Sequence, residues 1–239
     1  MSAQRSAPLG DGGPEGWARP IVKESLADIA CRTIRTALME GHLKPGEVMH
    51  LRPMSARFGI SVTPMREALV RLVSANALAM DERGTVVVPE LTQPELREIW
   101  EIRAEMEARA AGFAAARVTP DEIARLRALN DTITAAIADK DFAGAVRGNT
   151  RFHLMLSQLA GKPVLAELIE SLWIRTGPIL WHAYDRQAPR WTPSRHLQII
   201  EALENRDSAM AADSIRKEIL KGAEGFVRFA TPEEPPPES

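Results

Sequence analysis

The chain has 239 residues, 45% hydrophobic but only 5% aromatic, and a formal net charge of −2. That length suits one large domain or two modest ones, and the apolar fraction is ample for a packed core. The near-neutral charge excludes a bulk polyanion binder, and the single cysteine, Cys31, excludes an internal disulfide and a cysteine-based zinc finger.

Residues 1–20 are rich in Gly, Pro and Ser, lack an apolar signal core, and are expected to form a disordered tail. The first helix is predicted over Ser25–Glu40, with Leu26, Ile29, Ala30, Ile34, Ala37 and Leu38 on one face and Ser25/Asp28 as its cap. Gly41 stops it, Pro45-Gly46 turns the chain, and a short strand follows at Val48–His50. A short helix, Pro53–Phe58, breaks at Gly59, and Ile60 plugs the turn into the core. The next helix is predicted to start with Thr63 as N-cap and Pro64 as first helical residue, and to run to Ala75. Met65, Leu69, Leu72 and Val73 are its buried stripe, and Asn76 sits where a left-handed C-cap belongs.

Two strands, Ala77–Met80 and Thr85–Val88, flank the turn Asp81-Glu82-Arg83-Gly84. Two helices with a tight turn and a following hairpin make a winged helix-turn-helix, assigned to residues 21–90. After a linker at 91–94, everything to residue 230 reads as helix: Pro94–Arg117, Pro120–Asp139, Phe142–Ala160, Val164–Tyr184 (with a break near Gly177-Pro178), Pro193–Asn205 and Ser208–Phe229. Short connections predict antiparallel neighbours. The expected fold is therefore mainly α, a winged helix-turn-helix followed by an all-α antiparallel bundle. The acidic, Pro-rich stretch 231–239 is expected to be disordered. No apolar run approaches the ~18 residues of a membrane span. With one free thiol, a reducing cytoplasmic location is the expectation.

The segment 51–76 holds Arg52, Arg57, Arg66 and Arg71 against one acid, Glu67. A small basic face on a neutral chain suits sequence-specific DNA binding. A helix entering the major groove presents its leading residues to base edges, here Ser61, Val62, Thr63 and Arg66. Arg66 can pair with guanine, a contact worth ~1–3 kcal/mol of discrimination. Ser61 and Thr63 can reach phosphates at the positive helix end. Arg52 is a further phosphate or base candidate, and Arg83 and Gly84 at the wing tip are candidates for the minor groove. The alternative is that Arg66 and Arg71 form surface bridges with Glu67 and other acids.

Pro45-Gly46-Glu47, followed by Phe58-Gly59-Ile60-Ser61-Val62-Thr63-Pro64-Met65-Arg66-Glu67-Ala68-Leu69 and Arg71-Leu72, resembles the signature of the GntR family of transcription regulators. The helical remainder resembles that family's FadR-type effector domain, FCD. The resemblance implies a transcription regulator, a repressor, whose affinity for a palindromic operator in double-stranded DNA responds to a small organic acid, and which binds as a homodimer. The family commonly has Arg where this chain has Val62. Valine touches a thymine methyl but donates no hydrogen bond, so the operator is expected to depart from the common one.

Asn149 and His153 stand four apart on one helical face. The resemblance implies that they converge with His196 and with a last position, here Glu218 in place of the usual His, on a divalent metal. Imidazoles suit zinc or nickel, and the carboxylate and amide oxygens add harder character. Read alone, single histidines inside helices are more often hydrogen-bonded core or surface residues than ligands, and His42, His50 and His182 are taken as structural. The resemblance also implies that Arg103 faces the effector and grips its carboxylate. Its local alternative is an intrahelical bridge to Glu107 or Glu101. Trp173 and Trp181 either line the pocket or belong to the core. Two rivals remain: a metal-dependent helical-bundle hydrolase, for which no HExxH, GxSxG or P-loop pattern speaks, and a winged module for protein contacts.

Overall fold

The structure, a computed structural model, describes residues 24–180 and 194–230. The expected tails at 1–20 and 231–239 lie outside the described residues, as do Trp181, His182 and the expected helix start at Pro193. The regular structure described consists of nine α-helices, one 3-10 turn and a two-stranded hairpin, so the mainly α class is the observed one.

Helix α1 (Leu26–Met39) opens on a capping box in which Ser25 and Asp28 satisfy each other's backbone N–H. It buries Ala27, Ala30, Ile34, Leu38 and Met39. Leu26 (53% exposed) and Ile29 (39%), both expected in the stripe, fall on the shoulder of that face instead. Helix α2 spans Leu51–Phe58 and ends on Gly59 at φ +63, a left-handed cap open to glycine. It starts two residues before the predicted Pro53, because proline is tolerated throughout the first turn, where the N–H groups have no helical acceptor. The same reason moves the start of α3 (Val62–Ser74). Its N-cap is Ser61, so Thr63 and Pro64 lie inside the first turn. Asn76 takes the left-handed conformation at φ +54 as expected.

The hairpin pairs β1 (Ala79–Met80) with β2 (Val86–Val87) in antiparallel register, Ala79 opposite Val87. The strand expected at Val48–His50 reduces to one bridge, Val48 to Val87. Asp81 Oδ1 accepts from the N–H groups of Arg83 (2.9 Å) and Thr85 (2.7 Å) and so shapes the wing tip.

The helical remainder comprises α4 (Gln93–Ala115), α5 (Pro120–Ala138), α6 (Phe142–Leu159), α7 (Pro163–Thr176), the 3-10 turn Gly177–Ile179, α8 (Ser194–Glu204) and α9 (Ser208–Ala230). Helix α4 begins at Gln93 on the capping box Thr92/Glu95, so the last two residues of the expected linker are helical. Helix α4 is central and packs on α6, α7, α8 and α9, while α5 rests on α6 and α8. Ala104, Ala108, Ala111, Ala114 and Ala115 are buried along it, and such small side chains allow close helix approach.

The winged unit is seated directly on this bundle. Ile34, Leu38, Met65, Leu69 and Leu72 share one apolar cluster with Ile169, Trp173, Ile174 and Leu180. Arg151 of α6 donates from Nε (3.1 Å) and Nη2 (2.7 Å) to Glu40 Oε1, and Arg35 of α1 reaches Glu170 of α7 at 3.0 Å. Gly177 lies against the end of α1 so closely that a Cβ there would stand 2.2 Å from the Leu38 carbonyl oxygen.

Candidate functional site

Two regions carry functional chemistry. The first is the leading end of α3. Helices α1, α4 and α5 open on reciprocal capping boxes, whereas α2 and α3 have no side-chain cap at all. Ser61, Val62, Thr63 and Arg66 are exposed, so the first-turn N–H groups of α3 face outward with their partial positive charge. Arg52 on α2 and Arg83 with Gly84 at the wing tip are exposed as well. Gly84, at φ +75, makes the tight turn there.

The pairing of the basic side chains separates them. Arg71 bridges Asp28 (2.6 Å) and Glu67, which realises the surface-bridge alternative for that residue. Among the described residues no ion pair engages Arg52, Arg66 or Arg83. An exposed helix end, left uncapped and flanked by uncompensated arginines, is suited to binding anions.

The second region is a buried polar cluster inside the bundle. Glu107 on α4 is 2% exposed and receives three N–H groups. Its Oε1 accepts from Arg103 Nε at 2.9 Å and Trp173 Nε1 at 3.1 Å, and its Oε2 lies 2.7 Å from His153 Nδ1. On its other edge, His153 Nε2 stands 3.2 Å from Glu218 Oε2 but is not aligned for a hydrogen bond. His196 Nε2 is 3.8 Å from Glu218 Oε1, and one ligand atom each from His153, His196 and Glu218 lies within 4.8 Å of the others. Phe152 stacks on the His196 ring at 4.1 Å and fixes its plane. One turn before His153, Asn149 keeps a buried Oδ1 with no hydrogen-bond partner.

Burial opposes charge on every group here, and specific neighbours decide each outcome. Burial lowers the His153 pKa, but Glu218 and Glu107 overcome it and raise the value to about 9. Burial lowers His196 to about 4, with Glu218 only partly opposing. Burial raises Glu218, but His153 outweighs it and takes the carboxyl down to about 2. Glu107 is likewise held below its ordinary value, Arg103 and His153 outweighing burial.

The donor set fits a divalent cation. Two imidazole nitrogens and a carboxylate converge in the buried interior, and Asn149 leaves a partnerless amide oxygen one turn before His153 on the same helix. Nε2 of His153 faces a carboxylate, an approach that requires a proton or a cation between them.

Arg103 is 1% exposed, and its guanidinium carbon lies 3.6 Å from the Trp173 ring centroid and 4.7 Å from that of Trp100. Nε serves Glu107 and Nη1 reaches Thr176 Oγ1 at 3.4 Å, so the intrahelical bridge to Glu107 is present, while Glu101 is exposed on another face. Trp173 is both a core residue and a member of this cluster.

Sequence reasoning treated Glu107 only as a bridge partner and did not single out Trp100 or Thr176. The signal was present for Glu107. It falls among Trp100, Ala104, Ala108 and Ala111 on the buried stripe of α4, and a carboxylate in an apolar stripe has a partner or a function.

Residues 26–88 match the family described as "Bacterial regulatory proteins, gntR family", and residues 98–220 match the FCD domain. The chain belongs to the GntR family. Within it, the HTH-type transcriptional regulator McbR of Escherichia coli K12 is 36% identical over 156 residues, covering 65% of this chain and 71% of that one. The HTH-type transcriptional repressor RspR of the same strain is 24% identical over 177 residues, 74% of this chain and 78% of its own. The solved structure of E. coli McbR/YncC superposes with a TM-score of 0.80 at 29% identity, covering 86% of this chain and 99% of that one. A GntR regulator from Rhodococcus sp. RHA1, at 20% identity and TM-score 0.69 over 84% and 97% of the two chains, shares the fold. This GntR-family chain is a DNA-binding transcription regulator, and the hydrolase alternative finds no support among its relatives. No helix among its described residues is long and apolar enough to cross a membrane.

Proposed function

We propose that this regulator is a cytoplasmic repressor that binds a palindromic operator as a homodimer and is released or retained by a small carboxylate effector. The observation that carries the DNA reading is the exposed, uncapped start of α3 beside arginines without ion pairs. In this reading Arg66 contacts a base, Val62 meets a thymine methyl, and Ser61, Thr63 and Arg52 hold phosphates. Arg83 and Gly84 follow the adjacent groove. Two copies on a palindrome multiply the discrimination of one small interface and set the half-site spacing.

Asn149, His153, His196 and Glu218 are proposed to hold a divalent ion, zinc or nickel. A bound ion supplies a Lewis acid with open positions for a carboxylate. The chain's own part is to exclude water and present a cation: Arg103, fixed between Trp100 and Trp173, offers its guanidinium to the effector's carboxylate.

In this reading the route to DNA runs through α7. Helix α7 carries Trp173 and Thr176 toward the cluster, and the next residue, Gly177, meets the end of α1. Helix α1 in turn packs on α3. An effector acts only by its differential affinity for two arrangements of this stack. The test is anisotropy titration of labelled operator DNA across salt, with zinc and a panel of carboxylates. Salt-dependent binding that no carboxylate alters removes the effector reading, and salt-independent binding removes the DNA reading.

A further inference from the structure

We propose that Glu107 is the positioning residue of the buried cluster: it commits His153 to donate from Nδ1, and so assigns Nε2 as the atom His153 offers toward His196 and Glu218. The inference deepens the metal reading and rests on it.

The argument starts from what a carboxylate can do. An ionised carboxylate only accepts hydrogen bonds, and Glu107 receives donors at both oxygens. Arg103 Nε and Trp173 Nε1 have no acceptor chemistry, so Oε1 is committed to them. That leaves Oε2, 2.7 Å from His153 Nδ1, and a ring nitrogen at that distance from an acceptor must carry its proton. With Nδ1 as donor, the lone pair available for ligation is on Nε2, the edge turned to Glu218 at 3.2 Å. Buried metal-ligating imidazoles are commonly oriented by a carboxylate in this way.

The three donors come from three helices: α4 itself, α6 and α7. Glu107 is therefore also the point that fixes where His153 stands relative to Trp173, whose ring centroid is 5.3 Å away. A residue that served only as the counter-ion of Arg103 needs no contact with His153.

Glu107→Gln separates the two roles, because it keeps the size and loses the symmetry. If the amide oxygen faces Arg103 and Trp173, the NH2 group meets His153 and forces Nδ1 to accept, which puts the proton on Nε2. If the amide is turned the other way, its NH2 group confronts two further donors.

The experiment titrates zinc and nickel into wild type and E107Q by competition with a chromophoric chelator. Thermal melting of the ion-free proteins checks the fold, and 15N NMR reads the His153 ring in the zinc-loaded wild type. The expected result is an affinity loss on the order of 10–100-fold in folded E107Q, with Nδ1 protonated and Nε2 ligated in wild type. Affinity within about threefold of wild type, or ligation through Nδ1, overturns the inference while leaving the metal site in place. Should E107Q fail to fold, the ring assignment in wild type decides alone. A wild type that takes up neither ion removes the metal reading and this inference with it.

Discussion

Replacing Gly177 by alanine sets two effects of opposite sign against each other. Gly177 has φ −55 and ψ −43, an ordinary right-handed conformation that alanine adopts freely. On backbone grounds alone the substitution restricts the unfolded chain and stabilises by ~0.4–1 kcal/mol. The packing argument runs the other way. The new Cβ would lie 2.2 Å from the Leu38 carbonyl oxygen and 2.6 Å from Met39 Cα, both backbone atoms of α1 that cannot rotate aside. Overpacking of this kind costs ~1–3 kcal/mol. The packing cost wins, leaving a net loss of roughly 1–2 kcal/mol, or ~5–30-fold in the folded-to-unfolded ratio.

The assay is urea unfolding followed by circular dichroism, compared at constant slope so that a shifted midpoint reports stability. Operator anisotropy on the same samples adds the functional side, because prising α1 from α7 loosens the proposed link between cluster and DNA. A midpoint equal to or above that of wild type refutes the reasoning. It would mean that the end of α1 is not closed on the Gly177 turn in solution, and α7 would drop out as the route.

Arg66→Ala is expected to weaken operator binding by ~1–3 kcal/mol and to relax the sequence preference at one base position; unchanged affinity and preference in anisotropy titrations would take Arg66 off the DNA. His196→Ala is expected to abolish zinc and nickel uptake in equilibrium dialysis, and uptake at wild-type level would remove His196 from the ligand set. Ion uptake should tighten as pH rises toward about 9, because Glu218 and Glu107 hold a proton on His153 up to that value against burial, and ligation at Nε2 must expel it. Calorimetry in buffers of different ionisation heat reads that proton, and a binding heat independent of buffer near neutral pH would contradict it. Thr176→Val removes the hydroxyl that Arg103 Nη1 reaches, so operator affinity without effector should hold while the carboxylate response shrinks. A full response in that variant would place the coupling elsewhere.

Much of this architecture was legible because local chemistry and tertiary packing agree. The capping pair Ser25/Asp28, the glycine stops and Asn76 announce helix ends through local chemistry that few residues supply. The starts of α2 and α3 were misplaced because proline marks a first turn without saying which of its residues it occupies. The exposure of Leu26 and Ile29 was hidden because a stripe of apolar residues does not state its own centre. In the cluster, Asn149 and His153 share a helix and were visible by spacing, whereas His196 and Glu218 sit on other helices and came only through the family resemblance. Glu107 was seen as a local partner of Arg103. Its contacts with His153 and Trp173 span 46 and 66 residues, and no local pattern encodes such distances.

The same non-local contacts bear on how an effector signal travels. Coupling between two sites is reciprocal, so whatever factor a carboxylate imposes on operator affinity, the operator imposes on the carboxylate. A typical coupling of ~1–3 kcal/mol needs one element held firmly at both ends, since slack at either end lets local rearrangement absorb the difference. Helix α7 meets that condition. Trp173 and Thr176 bind the Glu107–Arg103 pair on one side, while Glu170 and Gly177 meet α1 on the other. A ligand that draws the Arg103 guanidinium pulls first against its longest bond, the one to Thr176. That residue directly precedes the turn on which α1 rests, so in the proposed reading a small displacement there would reach the winged unit without passing through the linker.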